Sequence, residues 1–226
     1  MEERSLFNIH GRNGEDILRL RAVVFDYGMV LTGQPDASAH AALVRITGLP
    51  LARFESLYWA DRHDYDLGIL SGLAFWRKLL RDGGLDLGPG AAEELNHWDA
   101  QMWTAQDPAM LAWQLQLKQR GLLTAILSNM GDSVLENIER EFAWIHNFDV
   151  QVWSYQLRLA KPDPAIYLHV LKELGTKPEE TLFLDDKLVN IEAARALGIR
   201  AIQFSTVEQL RADLIALGLE SELPLP

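Results

Sequence analysis

Three carboxylates, one ammonium and one hydroxyl stand at the ends of short apolar stretches of this chain. Asp26 closes AVVF, Ser128 closes LLTAILS and Asp185-Asp186 closes TLFL, while Lys161 opens the run Lys-Pro-Asp-Pro-Ala-Ile-Tyr. These are the groups that hydrolysis of a phosphate ester needs. The uncatalysed reaction is among the slowest known. One route divides it in two through a carboxylate nucleophile and an acyl phosphate. Nucleophile and phosphate are both anionic, so a cation must stand between them. Mg²⁺ suits that place because it takes carboxylate, carbonyl and phosphate oxygens in one octahedron. A lysine and a hydroxyl then hold the remaining phosphate oxygens. In chain order, Asp26 is the candidate nucleophile and one metal ligand. Ser128 is a donor to phosphate, with Asn129 beside it in the same role. Lys161 neutralises Asp26 and phosphate, and Asp186 with Asp185 completes the metal site.

Each of these residues also has a plainer explanation. An aspartate after a strand is usually a turn or cap residue, and lysine is usually solvated. Asp185 and Asp186 have the right place to cap a following helix. The ordered occurrence of all of them after apolar stretches favours chemistry. Asp163 is assigned to helix capping and Asn190 to a structural role.

Groups so far apart in sequence meet only if a scaffold brings them together. AVVF, LLTAILS, FDVQVW (148–153), TLFL and AIQF (201–204) are the candidate strands. Most are continuously apolar, which marks strands buried on both faces. Helical stretches separate most of them, and strand–helix–strand order predicts a parallel sheet with helices on both faces. Ligands then bind at the C-terminal strand ends, where the candidate residues lie. Asp107-Pro108 and Asp163-Pro164 read as N-caps followed by proline, Gly121 as a helix-terminating glycine, and Thr176 with Glu179 as a capping box. Residues of about 35–105 break the alternation. AHAALVRI, ARFESLYWADR, LSGLAFWRKLL and AAEELNHWDAQMW each fit a short amphipathic helix, with Gly83-Gly84 and Gly88-Pro89-Gly90 between the last two. The expected organisation is a polar leader over 1–20, a core over 21–34 and 106–226, and an all-helical insertion over 35–105. Trp59, Trp76, Trp98 and Trp103 fall in that insertion. Packing of a small bundle is their expected role, and lining a pocket the sharper one.

Composition narrows the partners. The 226 residues are 48 % apolar and 23 % charged, as in an ordinary globular protein. A net charge of −11 repels nucleic acid backbones and anionic lipid. It repels a phosphorylated substrate too, so a divalent cation and local lysines must reverse the field at the site. With no cysteine, thiolate catalysis, disulfides and zinc–thiolate sites are excluded. No signal peptide or membrane-length apolar run is visible, which agrees with a cytoplasmic location. The histidines show no metal-ligand spacing. The sequence does not fix an oligomeric state.

LAKPDPAIYLHVLKELG followed by TLFLDDKLVNIEAARALGI, with the Asp26 segment upstream, resembles the haloacid dehalogenase superfamily in its phosphatase-like branch with a helical cap. The resemblance covers residues of about 20–205. It implies a Rossmann-like core, Mg²⁺, an aspartyl-phosphate intermediate and a cap over residues of about 35–105. The first motif departs from the family pattern Asp-x-Asp-Gly-Thr/Val, because it reads Asp26-Tyr27-Gly28-Met29-Val30. The family's second aspartate is its general acid/base and its carbonyl binds metal. Gly28 keeps the carbonyl and loses the acid. Acid–base help is worth about 10²–10⁴-fold, so slow turnover or a preference for good leaving groups is expected. A cap residue or a water is the expected substitute, with His63, Asp64 and Asp66 the candidates within the cap. The expected function is thus Mg²⁺-dependent hydrolysis of a small phosphorylated metabolite. Two alternatives stand beside it. One is a metal-free 2-haloacid dehalogenase using Asp26, which would waste the Asp185-Asp186 pair. The other is a non-catalytic binding or regulatory protein, motivated by Gly28.

Overall fold

A computed structural model describes residues 19–225. The expected polar leader, 1–20, lies outside the described residues except for Arg19 and Leu20, and Leu20 is already buried core. Five parallel strands form one sheet: β1 (Ala22–Phe25), β2 (Leu123–Ser128), β3 (Val150–Trp153), β4 (Thr181–Asp185) and β5 (Arg200–Gln203), in the order β3-β2-β1-β4-β5. The helices among the described residues are α1 (Ala37–Thr47), α2 (Leu51–Ala60), α3 (Arg62–Asp66), α4 (Gly72–Asp82), α5 (Ala91–Gln101) and α6 (Pro108–Gln119). They continue with α7 (Asp132–Glu141), the single turn α8 (Ser154–Leu157), α9 (Pro164–Leu174), α10 (Leu188–Ala196) and α11 (Val207–Ala216).

AVVF is apolar throughout because both faces of β1 are covered. Val23 and Phe25 join a cluster with Met110, Trp113 and Leu117 of α6, Ile138 of α7 and Leu210 of α11. Ala22 and Val24 join the opposite cluster, with Ile166 and Val170 of α9 and Ile191 of α10. Burying a side chain such as Val or Phe contributes about 1.5–3 kcal/mol, which seats the most apolar strand in the middle. Chain order reverses direction at β1, which pairs with β2 on one side and β4 on the other. That is the switch point where open parallel sheets leave a crevice at the strand C-termini. Asp26 and Asp185 stand at its two edges.

Local signals place the helix ends. The Asp107 carboxylate accepts from the Ala109 and Met110 N–H groups at 3.0 and 3.1 Å, and Asp163 accepts from Ala165 at 2.8 Å. Such caps are worth about 1 kcal/mol. Gly121 carries the left-handed φ of 84° expected after α6. The expected capping box at Thr176 and Glu179 does not form. The Glu180 carboxylate accepts from the Lys177 N–H at 3.0 Å, and Thr176 turns its hydroxyl to Thr181 Oγ1 at 2.9 Å. The stretch 148–153 also forms a shorter strand than expected, starting at Val150 after a 3₁₀ turn.

Helices α1–α5 share a third apolar cluster built on Leu43, Phe54, Tyr58, Phe75, Trp76 and Leu95. ARFESLYWADR, expected as one helix, breaks at Asp61 into α2 and α3. The break turns Tyr65 onto the loop after β2, so closely that a Cβ on Gly131 would stand 2.1 Å from its ring. Gly72 N–H donates to Asp132 at 2.9 Å, and Ser154 Oγ donates to the Asp66 carbonyl. These contacts fix the helical segment over the strand ends.

Candidate active site

The sheet delivers its carboxylates to one point. Asp26 follows β1, Asp185 ends β4 and Asp186 follows it. Their side-chain oxygens lie within 4.8 Å of one another. Lys161, 4 % exposed, reaches them from the loop before α9. Its Nζ is 3.0 Å from Asp26 Oδ1 and 2.6 Å from Asp185 Oδ2. Ser128 is buried at the end of β2, paired across to Trp153 of β3.

The supporting bonds give each group a different task. Asp185 carries most of the bonds. It accepts from the Lys187 N–H at 2.8 Å, from Asn190 Nδ2 at 2.9 and 3.0 Å, and from Lys161. Asn190 is therefore structural, as its position suggested. Asp185 ties its oxygens to the protein instead of capping α10 through the helix's own N-cap position, which Lys187 holds. Asn129 uses its amide oxygen for the Lys161 N–H and its Nδ2 for the Lys161 carbonyl, both at 2.8 Å. It clamps the lysine's backbone while bordering the same cavity.

Charge is distributed unevenly. Burial pushes the Asp26 carboxyl up to about 7, with Asp185 adding to the rise while Lys161 and the Ser128 hydroxyl pull it back. Burial and the neighbouring Asp185 also push Asp186 up. Burial acts the same way on Asp185, but Lys161 and the bonds from Lys187 and Asn190 outweigh it and hold it down. Burial alone would pull Lys161 down, and the two carboxylates reverse that. Three carboxylates against one ammonium leave two negative charges within the cluster. A divalent cation matches that charge, and hard carboxylate oxygens match Mg²⁺. The residues present thus fit the ion. Asp26, Asp186 and Asp185 are the candidate side-chain ligands, and the Gly28 carbonyl lies on the same loop.

A cavity of about 360 Å³ opens onto this cluster, and Asp26, Gly28, Ser128, Asn129, Lys161 and Asp186 all border it. Its far side comes from the helical segment. Asp66 borders it; His63 and Asp64 do not. Trp76 and Trp98 pack within the helical segment, as expected of a bundle. Trp59 and Trp103 instead line the cavity. Arg62, absent from the residues singled out in the sequence, lines it too. Its Nε binds Asp66 at 3.1 Å and its Nη1 binds Asp99 at 3.2 Å and the Tyr58 hydroxyl, which donates to Asp99 at 2.7 Å. The Arg62–Asp66 spacing of four on a helix was its available signal.

The model of the haloacid dehalogenase-like hydrolase family matches residues 20–198. The chain belongs to that family. This haloacid dehalogenase-like hydrolase is 31 % identical over 211 residues to "Phosphatase MT3486" of Mycobacterium tuberculosis, covering 89 % of this chain and 96 % of the relative. It is 36 % identical over 119 residues to mouse "Acyl-CoA dehydrogenase family member 10", covering half of this chain but 11 % of that larger protein. Among solved structures, a HAD family enzyme of Bacteroides thetaiotaomicron superposes with a TM-score of 0.74 at 19 % identity, covering 87 % and 98 % of the two chains. That likeness shows the α/β fold of the hydrolase.

Proposed function

We propose that this hydrolase is a Mg²⁺-dependent phosphatase of small phosphate monoesters, with Asp26 as nucleophile and helices α1–α5 as a cap over the site. The observation that carries the reading is the convergence of three carboxylates and a buried lysine at the mouth of one cavity. The relative of M. tuberculosis is named a phosphatase. The B. thetaiotaomicron enzyme has been crystallised with magnesium and inorganic phosphate. Both agree with the reading.

The Tyr27 N–H and Lys161 both sit on Asp26 Oδ1, at 2.7 and 3.0 Å. Oδ2 is then the oxygen that bonds to phosphorus as the ester bond breaks. Lys161 and Ser128 hold the phosphate oxygens as charge develops on them, and Asn129 keeps Lys161 in place. Water next attacks the aspartyl-phosphate, releasing phosphate and restoring Asp26. Asp26, Asp186, the Gly28 carbonyl and the Asp185 side of the cluster would hold Mg²⁺, which would supply the positive charge that lets a carboxylate approach a phosphate. A dehalogenase would have no use for that acidic cluster.

A panel of phosphate esters with and without Mg²⁺ tests this. Turnover must vanish in chelator and in Asp26→Asn. Beryllium fluoride must bind wild type only when Mg²⁺ is present, and Asp26→Asn not at all. Chloride release from a 2-chloroacid that persists in chelator sinks the proposal.

A further inference from the structure

Among the residues bordering the cavity, Met29, Pro35, Trp59, Trp103, Met130 and Val134 are apolar. Outside the acid cluster and the residues around Lys161, the polar side chains on its wall include Gln34, Arg62, Asp66 and Lys187. Arg62 and Asp66 are bound to each other, and among the described residues Gln34 has no hydrogen-bond partner. A leaving group rich in hydroxyls would find one uncommitted amide and the exposed ammonium of Lys187 there, and each hydroxyl buried without a partner weakens binding.

The aromatic part of the wall is held in place. Tyr27 donates to the Trp103 carbonyl at 2.8 Å. The Trp103 ring lies so close to the nucleophile loop that a Cβ on Gly28 would be 3.5 Å from Cζ3. Trp59 is 57 % exposed yet fixed, because its indole N–H donates to Glu55 at 2.8 Å and its ring meets Tyr58 edge-on at 5.0 Å. Met29 sits at φ 63°, a left-handed conformation that an ordinary side chain avoids. Such strain persists where the surrounding structure fixes a side chain at a ligand site.

The same wall lacks a ready proton donor. Asp26 and Asp186 belong to the acid cluster. The Tyr27 hydroxyl is already given to Trp103, and Lys161 stands between two carboxylates. Burial pushes Asp66 up, but protonating it would end its ion pair with Arg62. Lys187 borders the cavity but is exposed to solvent. No imidazole or thiol borders the cavity.

We infer that the substrate is the phosphate monoester of a flat, apolar and acidic hydroxyl compound, a phenol or an enol, whose ring lies against Trp103 and Trp59. Asp26 bonds to phosphorus, the phosphorus–oxygen bond to the ring breaks, and the electron pair leaves on the oxygen without a proton. Water then cleaves the aspartyl-phosphate. The inference rests on the phosphatase reading.

The test uses the full chain with Mg²⁺ on phenyl phosphates of graded phenol acidity, on glycerol and sugar phosphates, and on acetyl phosphate. kcat/KM should fall steeply as the phenol becomes less acidic. Aryl esters should exceed sugar and glycerol phosphates by about 10²–10⁴-fold, the size of general-acid help. Trp59→Ala should raise KM for aryl esters about 2–10-fold, and less for acetyl phosphate, which has no ring. Sugar or glycerol phosphates turned over within tenfold of aryl esters, or an equal KM rise for acetyl phosphate in Trp59→Ala, overturn the inference and leave the phosphatase reading standing. No turnover of any of these, acetyl phosphate included, by folded metal-loaded protein overturns both.

Discussion

The strand ends and the helical segment above them solve the problem of buried charge in opposite ways. At the strand ends, three carboxylates face one lysine, and a surplus of negative charge remains. In the helical segment, Arg62 is matched by Asp66 and Asp99 through bonds that close on themselves, with Tyr58 and Tyr65 packed on the guanidinium. The first cluster sets three carboxylates against one ammonium. The second sets two carboxylates against one guanidinium, closes its bonds within the protein and holds α2, α3 and α5 together. A buried ionic group is thus not by itself a mark of catalysis. What separates the two is how far the charge is balanced within the protein, three carboxylates to one cation at the strand ends against two to one around Arg62.

The comparison is broken most strongly at Asp26. Asp26→Asn should lower kcat by at least about 10⁴-fold while circular dichroism stays that of the wild type. Lys161→Met should lower kcat by about 10²–10³-fold. It should also destabilise the protein by about 3–5 kcal/mol in urea titration, since it strands two buried carboxylates. Added Mg²⁺ should recover part of that loss in Lys161→Met. Arg62→Met should cost a similar amount of stability, yet Mg²⁺ should recover none of it, and kcat should fall by less than about tenfold. Equal rescue of both variants would erase the distinction drawn between the two clusters.

Proton linkage sharpens the same contrast. The Asp26 carboxyl sits at about 7 in the fold against an ordinary value of 3.8. The folded state therefore holds this proton more tightly than the unfolded chain. In chelator, Asp26 contributes a loss of stability as pH rises from about 4 to about 7, and no further change above that. The melting temperature of Asp26→Asn should lack this decline, and Mg²⁺ should remove it from wild type. The smallest effect is expected at Gly28. Its φ of −66° suits any residue, and a Cβ there makes only van der Waals contact with Trp103. Gly28→Asp should melt within a few degrees of wild type and make kcat/KM less sensitive to the leaving group. A collapse of the fold in this variant would show that Trp103 allows no side chain at position 28.

Much of this was legible along the chain. Apolar runs, most of them continuous, located the strands, because strands covered on both faces have few polar positions. Carboxylates directly after two of these runs announced the edge where Asp26, Asp185 and Asp186 meet. The tasks of Asn129 and Asp185 were not legible. Each is set by a backbone or side chain more than twenty residues away or across a turn, so no local pattern encodes it. The break at Asp61 was equally hidden, because both halves are amphipathic and only the packing of Tyr65 onto Gly131 decides the angle between them.

By itself, then, the sequence determined the sheet, the helical insertion and the identity of the groups that meet at its edge, since periodicity and strand-end position are local properties. Tertiary structure alone decided which carboxylates meet at one point and which close on Arg62. It also decided which tryptophans line the cavity. Those outcomes depend on distances between side chains that the chain order leaves free.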